Sequence, residues 1–67
     1  MNADILSGKW KQAKGEAKKQ WGKLTDDDLV VIEGQQDKLI GLVQERYGYA
    51  REQAEHEVDD FIQKLSD

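Results

Sequence analysis

Within nine residues, Trp21-Gly22-Lys23-Leu24-Thr25-Asp26-Asp27-Asp28-Leu29, this chain stops one helix and starts another, which commits it to short helical segments. Gly22 follows the last apolar position of the first segment. Thr25 then supplies an N-cap hydroxyl three residues before a carboxylate, a capping box with Asp in place of the preferred Glu. Three aspartates in the first turn complement the positive end of the helix dipole. Leu24, just before the cap, is placed to pack on Leu29 as a hydrophobic staple. The same boundary divides the chain electrically. Residues 1–23 carry six lysines against two acids, a net of +4. Residues 24–67 carry four basic residues against twelve acids, a net of −8.

Proline is absent, and no alternation of apolar and polar residues is long enough to argue for a strand. The spacing predicts four helices. The first runs from Ser7, read as its N-cap, to about Trp21. Trp10, Ala13, Ala17 and Trp21 fall within roughly 80° of one another, with Leu6 and Leu24 on the same side. Gly8, Gly15 and Gly22 recur every seven residues on another face. Each interior glycine costs about 1 kcal/mol relative to alanine, so this helix is expected to be the least stable alone. In the second helix Leu29, Val30, Val31 and Ile32 are all apolar, which predicts burial on more than one side, with Gly34 as the stop. The third spans about Gln36 to Tyr47, with Leu39, Ile40, Val43 and Tyr47 on a face of roughly 100° and Gly48 as terminator. The fourth spans about Arg51 to Leu65. Its stripe is Ala54, Val58, Phe61, Ile62 and Leu65, with His56, Asp60 and Gln63 facing away and Tyr49 as the staple residue before it. The expected fold is all-α: a compact bundle of four or five short helices, two helical hairpins packed together, forming a single domain over 1–67.

Composition narrows the function classes. Sixty-seven residues suffice for one small core. With no cysteine there is no disulfide or thiolate metal site, which suits a reducing compartment. The start, Met1-Asn2-Ala3-Asp4-Ile5-Leu6, lacks the basic residues and roughly 7–15-residue apolar run of a secretory signal. No apolar stretch approaches the roughly 20 residues of a membrane span, so a cytoplasmic location is expected. A net charge of −4 argues against general affinity for nucleic acid.

Four features invite a chemical reading. Asp26, Asp27 and Asp28 resemble metal ligands, but successive helix positions point about 100° apart and do not converge on one ion. A calcium loop starting at Asp26 would place Val30 and Val31 at an oxygen-ligand position and at the obligatory glycine. His56 stands between Glu55 and Glu57, the two serines, Ser7 and Ser66, lie near the termini and cysteine is absent, and Glu55 with Asp59 is a common surface pairing. Tyr47-Gly48-Tyr49-Ala50 has the outline of a helix-hairpin-helix turn. However, its second glycine is replaced by Ala50, and Glu52, Glu55, Glu57, Asp59 and Asp60 downstream would repel a phosphate backbone. The fourth feature keeps two readings. Lys11, Lys14 and Lys18 lie within roughly 60° of one another beside the Trp10–Trp21 stripe. Such a helix suits nucleic acid or an anionic membrane; alternatively the tryptophans are core and the lysines face the acidic remainder of the domain. No catalytic, cofactor-binding or metal residue is expected, and the chain is expected to be a monomer.

The chain resembles the CsbD-like family of small bacterial proteins. The resemblance is carried by Gly8-Lys9-Trp10-Lys11-Gln12, Gly15, Gln20 to Asp28, Glu33-Gly34, Gln44-Glu45-Arg46-Tyr47-Gly48-Tyr49, Gln53-Ala54-Glu55 and Glu57-Val58. It covers about residues 5–62. It implies a cytosolic bundle of four or five helices associated with the general stress response, and it does not imply an enzymatic activity, because the family has no established biochemical mechanism. One departure is Ala50, where many relatives have a capping residue. That weakens the N-cap of the fourth helix by about 1 kcal/mol, and Gln53 is expected to compensate by reaching back to the backbone.

Overall fold

A computed structural model describes residues 6–66. The first five residues, read above for a secretory signal, lie outside the described residues, as does the Ser66 side chain. After a helical turn at 6–8 come α1 (Trp10–Gln20), α2 (Asp26–Ile32), α3 (Gln36–Tyr47) and α4 (Arg51–Ser66), with no strand among the described residues. The chain is an all-α bundle. α3 and α4 form one hairpin and α2 packs on α3. α1 is held beside α2 by two bonds: the Trp10 indole Nε1 donates to the Leu29 carbonyl at 3.1 Å, and Lys18 reaches Asp26 at 2.8 Å. Leu29 is among the last four residues of α2, whose carbonyls have no partner within the helix, so the indole satisfies a group the helix leaves open.

One core runs through the bundle. It joins Leu6, Ala13, Ala17, Trp21 and Leu24 to Leu29 and Ile32, to Leu39, Ile40 and Val43, and to Ala54, Val58, Phe61 and Ile62. Apart from Leu29 and Ile32 these are residues of the three apolar stripes, so helical periodicity translates directly into packing there. Trp21 is 1% exposed and lies 5.0 Å from the Phe61 ring. Trp10 is half-buried against the same core. Both members of the expected staple, Leu24 and Leu29, are buried.

Three local expectations need correction. Ser7 does not cap α1. It belongs to the separate turn at 6–8, and α1 starts after Lys9, which has φ −110° and ψ 15° and makes no side-chain cap bond. The cause is tertiary: the turn rests on Gly34, where a Cβ would lie 2.8 Å from the Ser7 Cα. Second, α2 is not buried on several sides. Leu29 and Ile32 point inward while Val30 and Val31 are 59% and 63% exposed. Seven residues make about two turns, and such a helix at the bundle margin has only one face in contact. Third, the Gln53 amide nitrogen donates to Glu57 at 3.4 Å, along α4, instead of reaching back. α2 also ends one residue earlier than its glycine suggests, since Glu33 is itself left-handed at φ 52° before Gly34 at φ 78°. Gly48, at φ 71°, terminates α3 as expected and donates its N–H to Gln44.

Candidate functional site

The Thr25 capping box is complete. The Asp28 N–H donates to the Thr25 hydroxyl at 3.1 Å, and the Thr25 N–H donates to the Asp28 carboxylate at 3.0 Å. The other oxygen of Asp28 takes the Arg46 guanidinium at 3.0 Å, which ties the start of α2 to the end of α3. Asp26 accepts from Lys18. Asp26 and Asp28 thus diverge toward different helices, one to α1 and the other to α3. Thr25's backbone N–H holds the Asp28 carboxyl below the usual carboxylate range; partial desolvation opposes this and Arg46 adds to it. Asp26 is lowered by the Lys18 hydrogen bond and charge, with a weaker push from Lys14. Arg46 is raised in turn, chiefly by Asp28.

These shifts carry a pH dependence of definite sign. A carboxyl whose folded pKa is depressed contributes stability that is fully present above its unfolded pKa of about 3.9 and is lost as pH falls through the folded value. The melting temperature is therefore expected to drop as pH falls from about 5 toward 2.5. Asp28→Asn should melt lower at neutral pH and show a shallower acid slope. Thermal melts by circular dichroism across that range check this, and acid slopes that superimpose for the two proteins count against it.

The three candidate lysines do share a side of α1, but they part company there. Lys18 is committed to Asp26, and Lys14 is half-buried where α1 meets α2. Lys11 is exposed and has no ion pair among the described residues. Lys14 and Lys18 border a depression of about 170 Å³ together with Gly15, Asp26, Leu29 and Val30. Both tryptophans turn inward: the Trp21 Nε1 donates to Glu57 at 3.3 Å, and Trp10 bonds Leu29. Two lysines outside this group work structurally. Lys9 donates to the Leu65 carbonyl at 2.7 Å, and the Lys23 ammonium lies 5.0 Å from the Tyr47 ring centre while its N–H donates to the Tyr47 hydroxyl.

The remaining candidates are dispersed. His56 is exposed, with Nε2 3.9 Å from Asp60. Glu55 accepts from Arg51 at 3.1 Å and Asp59 accepts from Gln36 at 3.1 Å, so the two carboxylates are engaged by different elements. They border a polar depression of about 330 Å³ with Gln36, Asp37 and Ile40. In the Tyr47–Ala50 turn the two tyrosine rings stack at 5.4 Å, so Tyr49 packs back on α3. Among the described residues no three His, Cys, Asp or Glu side chains gather in a metal-binding arrangement.

A feature that hydrophobic periodicity does not single out is an open groove of about 420 Å³ between α2 and α3. Asp28, Val31, Ile32, Lys38, Gly41, Leu42 and Glu45 line it. Its α3 wall is a stripe at spacings of three and four, opposite the buried one; its mixed character of cation, glycine, leucine and anion hides it from a search for apolar faces.

Comparison with known proteins places the chain. The model of the CsbD-like family matches residues 4–56. UPF0337 protein ECA0631 of Pectobacterium atrosepticum is 69% identical over 58 residues, covering 87% of this chain and 84% of that protein. UPF0337 protein YjbJ of Escherichia coli (strain K12) is 61% identical over 61 residues, 91% of this chain and 88% of the relative. UPF0337 protein PA4738 of Pseudomonas aeruginosa is 52% identical over 65 residues, 97% and 100% of the two chains. The matched span contains the capping box, both tryptophans and the Tyr47-Gly48-Tyr49 turn, and the chain belongs to the CsbD-like family.

Proposed function

We propose that this chain is a small bacterial stress-response protein of the cytoplasm, without enzymatic activity, that acts through interaction or through its abundance. Family membership supplies the link to stress. What supports a non-catalytic role is the use of the polar side chains: Asp26, Asp28, Arg46, Glu57, Asp59 and Lys9 each make a bond between different segments of the bundle. Groups spent on joining helices are fixed in geometry and charge state, the opposite of a group poised to exchange a proton. For the compartment, no helix among the described residues is long and apolar enough to cross a membrane, and a chain without cysteine suits a reducing environment.

A second reading, a binding module using Lys11, Lys14 and Lys18 on nucleic acid or an anionic membrane, is favoured by the exposure of Lys11. Against it stands the inward packing of Trp21, since a membrane-lying helix needs its aromatic rings outside the core. Tryptophan emission separates the two. The first reading expects a blue-shifted spectrum that changes little on adding DNA, RNA or anionic vesicles at ~150 mM salt. A saturable, salt-sensitive shift with any of them replaces it with the second.

A further inference from the structure

The outer face of α3 is self-complementary. Lys38, Gly41, Leu42 and Glu45 follow one another at intervals of three, one and three residues, which places all four on one side of the helix. Lys38 is exposed and has no ion pair among the described residues. Glu45 is also exposed, and one of its oxygens meets its neighbour Arg46 at 3.0 Å. Between them, Gly41 is a mid-helix glycine with nothing within 4 Å of where a Cβ would stand, so packing inside the molecule does not call for it. Leu42 is only half-buried, and Val31 across the groove is 63% exposed. A glycine that destabilises its helix and relieves no internal crowding is explained when something outside must come close to the backbone.

We propose that this face binds a second copy of the chain, through antiparallel pairing of the two α3 helices. A two-fold axis passing between Gly41 and Leu42 exchanges Lys38 with Glu45 and Gly41 with Leu42. Each ammonium then meets a carboxylate of the second copy at both ends of the contact. Each leucine lies over the glycine of the other helix, whose missing side chain lets the axes approach. Val31 walls the groove and is covered with Leu42. This is the isologous contact that a symmetric dimer requires, the same patch meeting itself with charges and sizes matched. The patch holds far fewer residues than the roughly 20–30 a side of a standard interface, so the pair is weak, with a Kd on the order of 0.1–1 mM. The pairing rests on the α3 face alone and is independent of the functional reading above.

Sedimentation equilibrium on the full chain from ~10 µM to ~2 mM tests it. The expected result is a reversible monomer–dimer equilibrium. Lys38→Glu and Glu45→Lys each set like charges opposite one another and should weaken it at least about tenfold. The double variant Lys38→Glu/Glu45→Lys reverses every pair and should restore it to within about threefold. Gly41→Ala should melt no lower than the parent yet associate less, which separates the dimer contact from folding. All three substitutions lie on the outer face of α3, and thermal melts confirm that each of the four variants is folded. A chain that stays monomeric at ~2 mM overturns the proposal. So does association that the single charge reversals leave unchanged, or that the double reversal fails to restore.

Discussion

Trp21→Ala is expected to remove a large share of the chain's net stability and to lower its urea midpoint well below that of the parent. The Trp21 ring is 1% exposed, packs at 5.0 Å against Phe61, and joins the end of α1 to α4 through its bond to Glu57. Truncating a buried tryptophan to alanine costs about 3–5 kcal/mol. At roughly 0.05–0.15 kcal/mol per residue, a chain of 67 residues has only about 3–10 kcal/mol of net stability to lose. Trp21→Phe keeps most of the buried ring and gives up the bond to Glu57, a loss of about 0.5–1.5 kcal/mol, so it should fold cooperatively with a lower midpoint. Urea titration followed by far-UV circular dichroism distinguishes the three proteins. An alanine variant that unfolds cooperatively within a few tenths molar of the parent midpoint would show that Trp21 is not the main tie between α1 and α4.

Gly34→Ala is the second substitution with a large effect, although it adds a single methyl group. Gly34 is buried with φ 78°, a conformation that costs other residues on the order of 1–3 kcal/mol. The new Cβ would also lie 2.8 Å from the Ser7 Cα and 3.2 Å from the Trp10 Cβ. The Ser7 atom is backbone and cannot rotate aside, so the turn at 6–8 must lift and bring Leu6 out of the core. Strain and overpacking together give an expected loss of roughly 2–4 kcal/mol. Denaturant unfolding measures it, and a fall in the protection of the Trp10 indole N–H from hydrogen exchange reports the displaced turn. A loss below about 0.5 kcal/mol would sink the account, because surface changes without a packing role fall in that range.

Most of the architecture was legible because the sequence is locally consistent. Leu39, Ile40 and Val43 keep helical spacing and are buried, Thr25 and Asp28 form the capping box they spell, and Gly48 takes the left-handed position. The failures share a cause. Ser7 looks like a cap because of its neighbours, but its place is set by Gly34, twenty-seven residues away. Val30 and Val31 look buried by composition, but how many sides of a helix are covered depends on where it sits in the bundle. At the candidate site, the sequence placed Lys11, Lys14 and Lys18 together, and only the fold shows Lys18 held by Asp26. The groove between α2 and α3 was not legible, since its α3 wall reads as ordinary solvated surface until Gly41 is seen to face empty space.

The bond from Lys9 to the Leu65 carbonyl spans 56 residues, and the ties of Trp21 to Glu57 and Phe61 cross more than half of the sequence. Trp21 therefore cannot bury its ring until α4 has been synthesised. At a synthesis rate of about 5–20 residues per second that interval is on the order of seconds, during which the Trp21 indole lacks its α4 partners. Docking of α1 against α4 is on that account a late step, made only after α2 and α3 have been synthesised. Gly15, which disfavours an early helix, and the lysines of α1, which keep it hydrated, suit a segment that must stay uncommitted until α4 arrives.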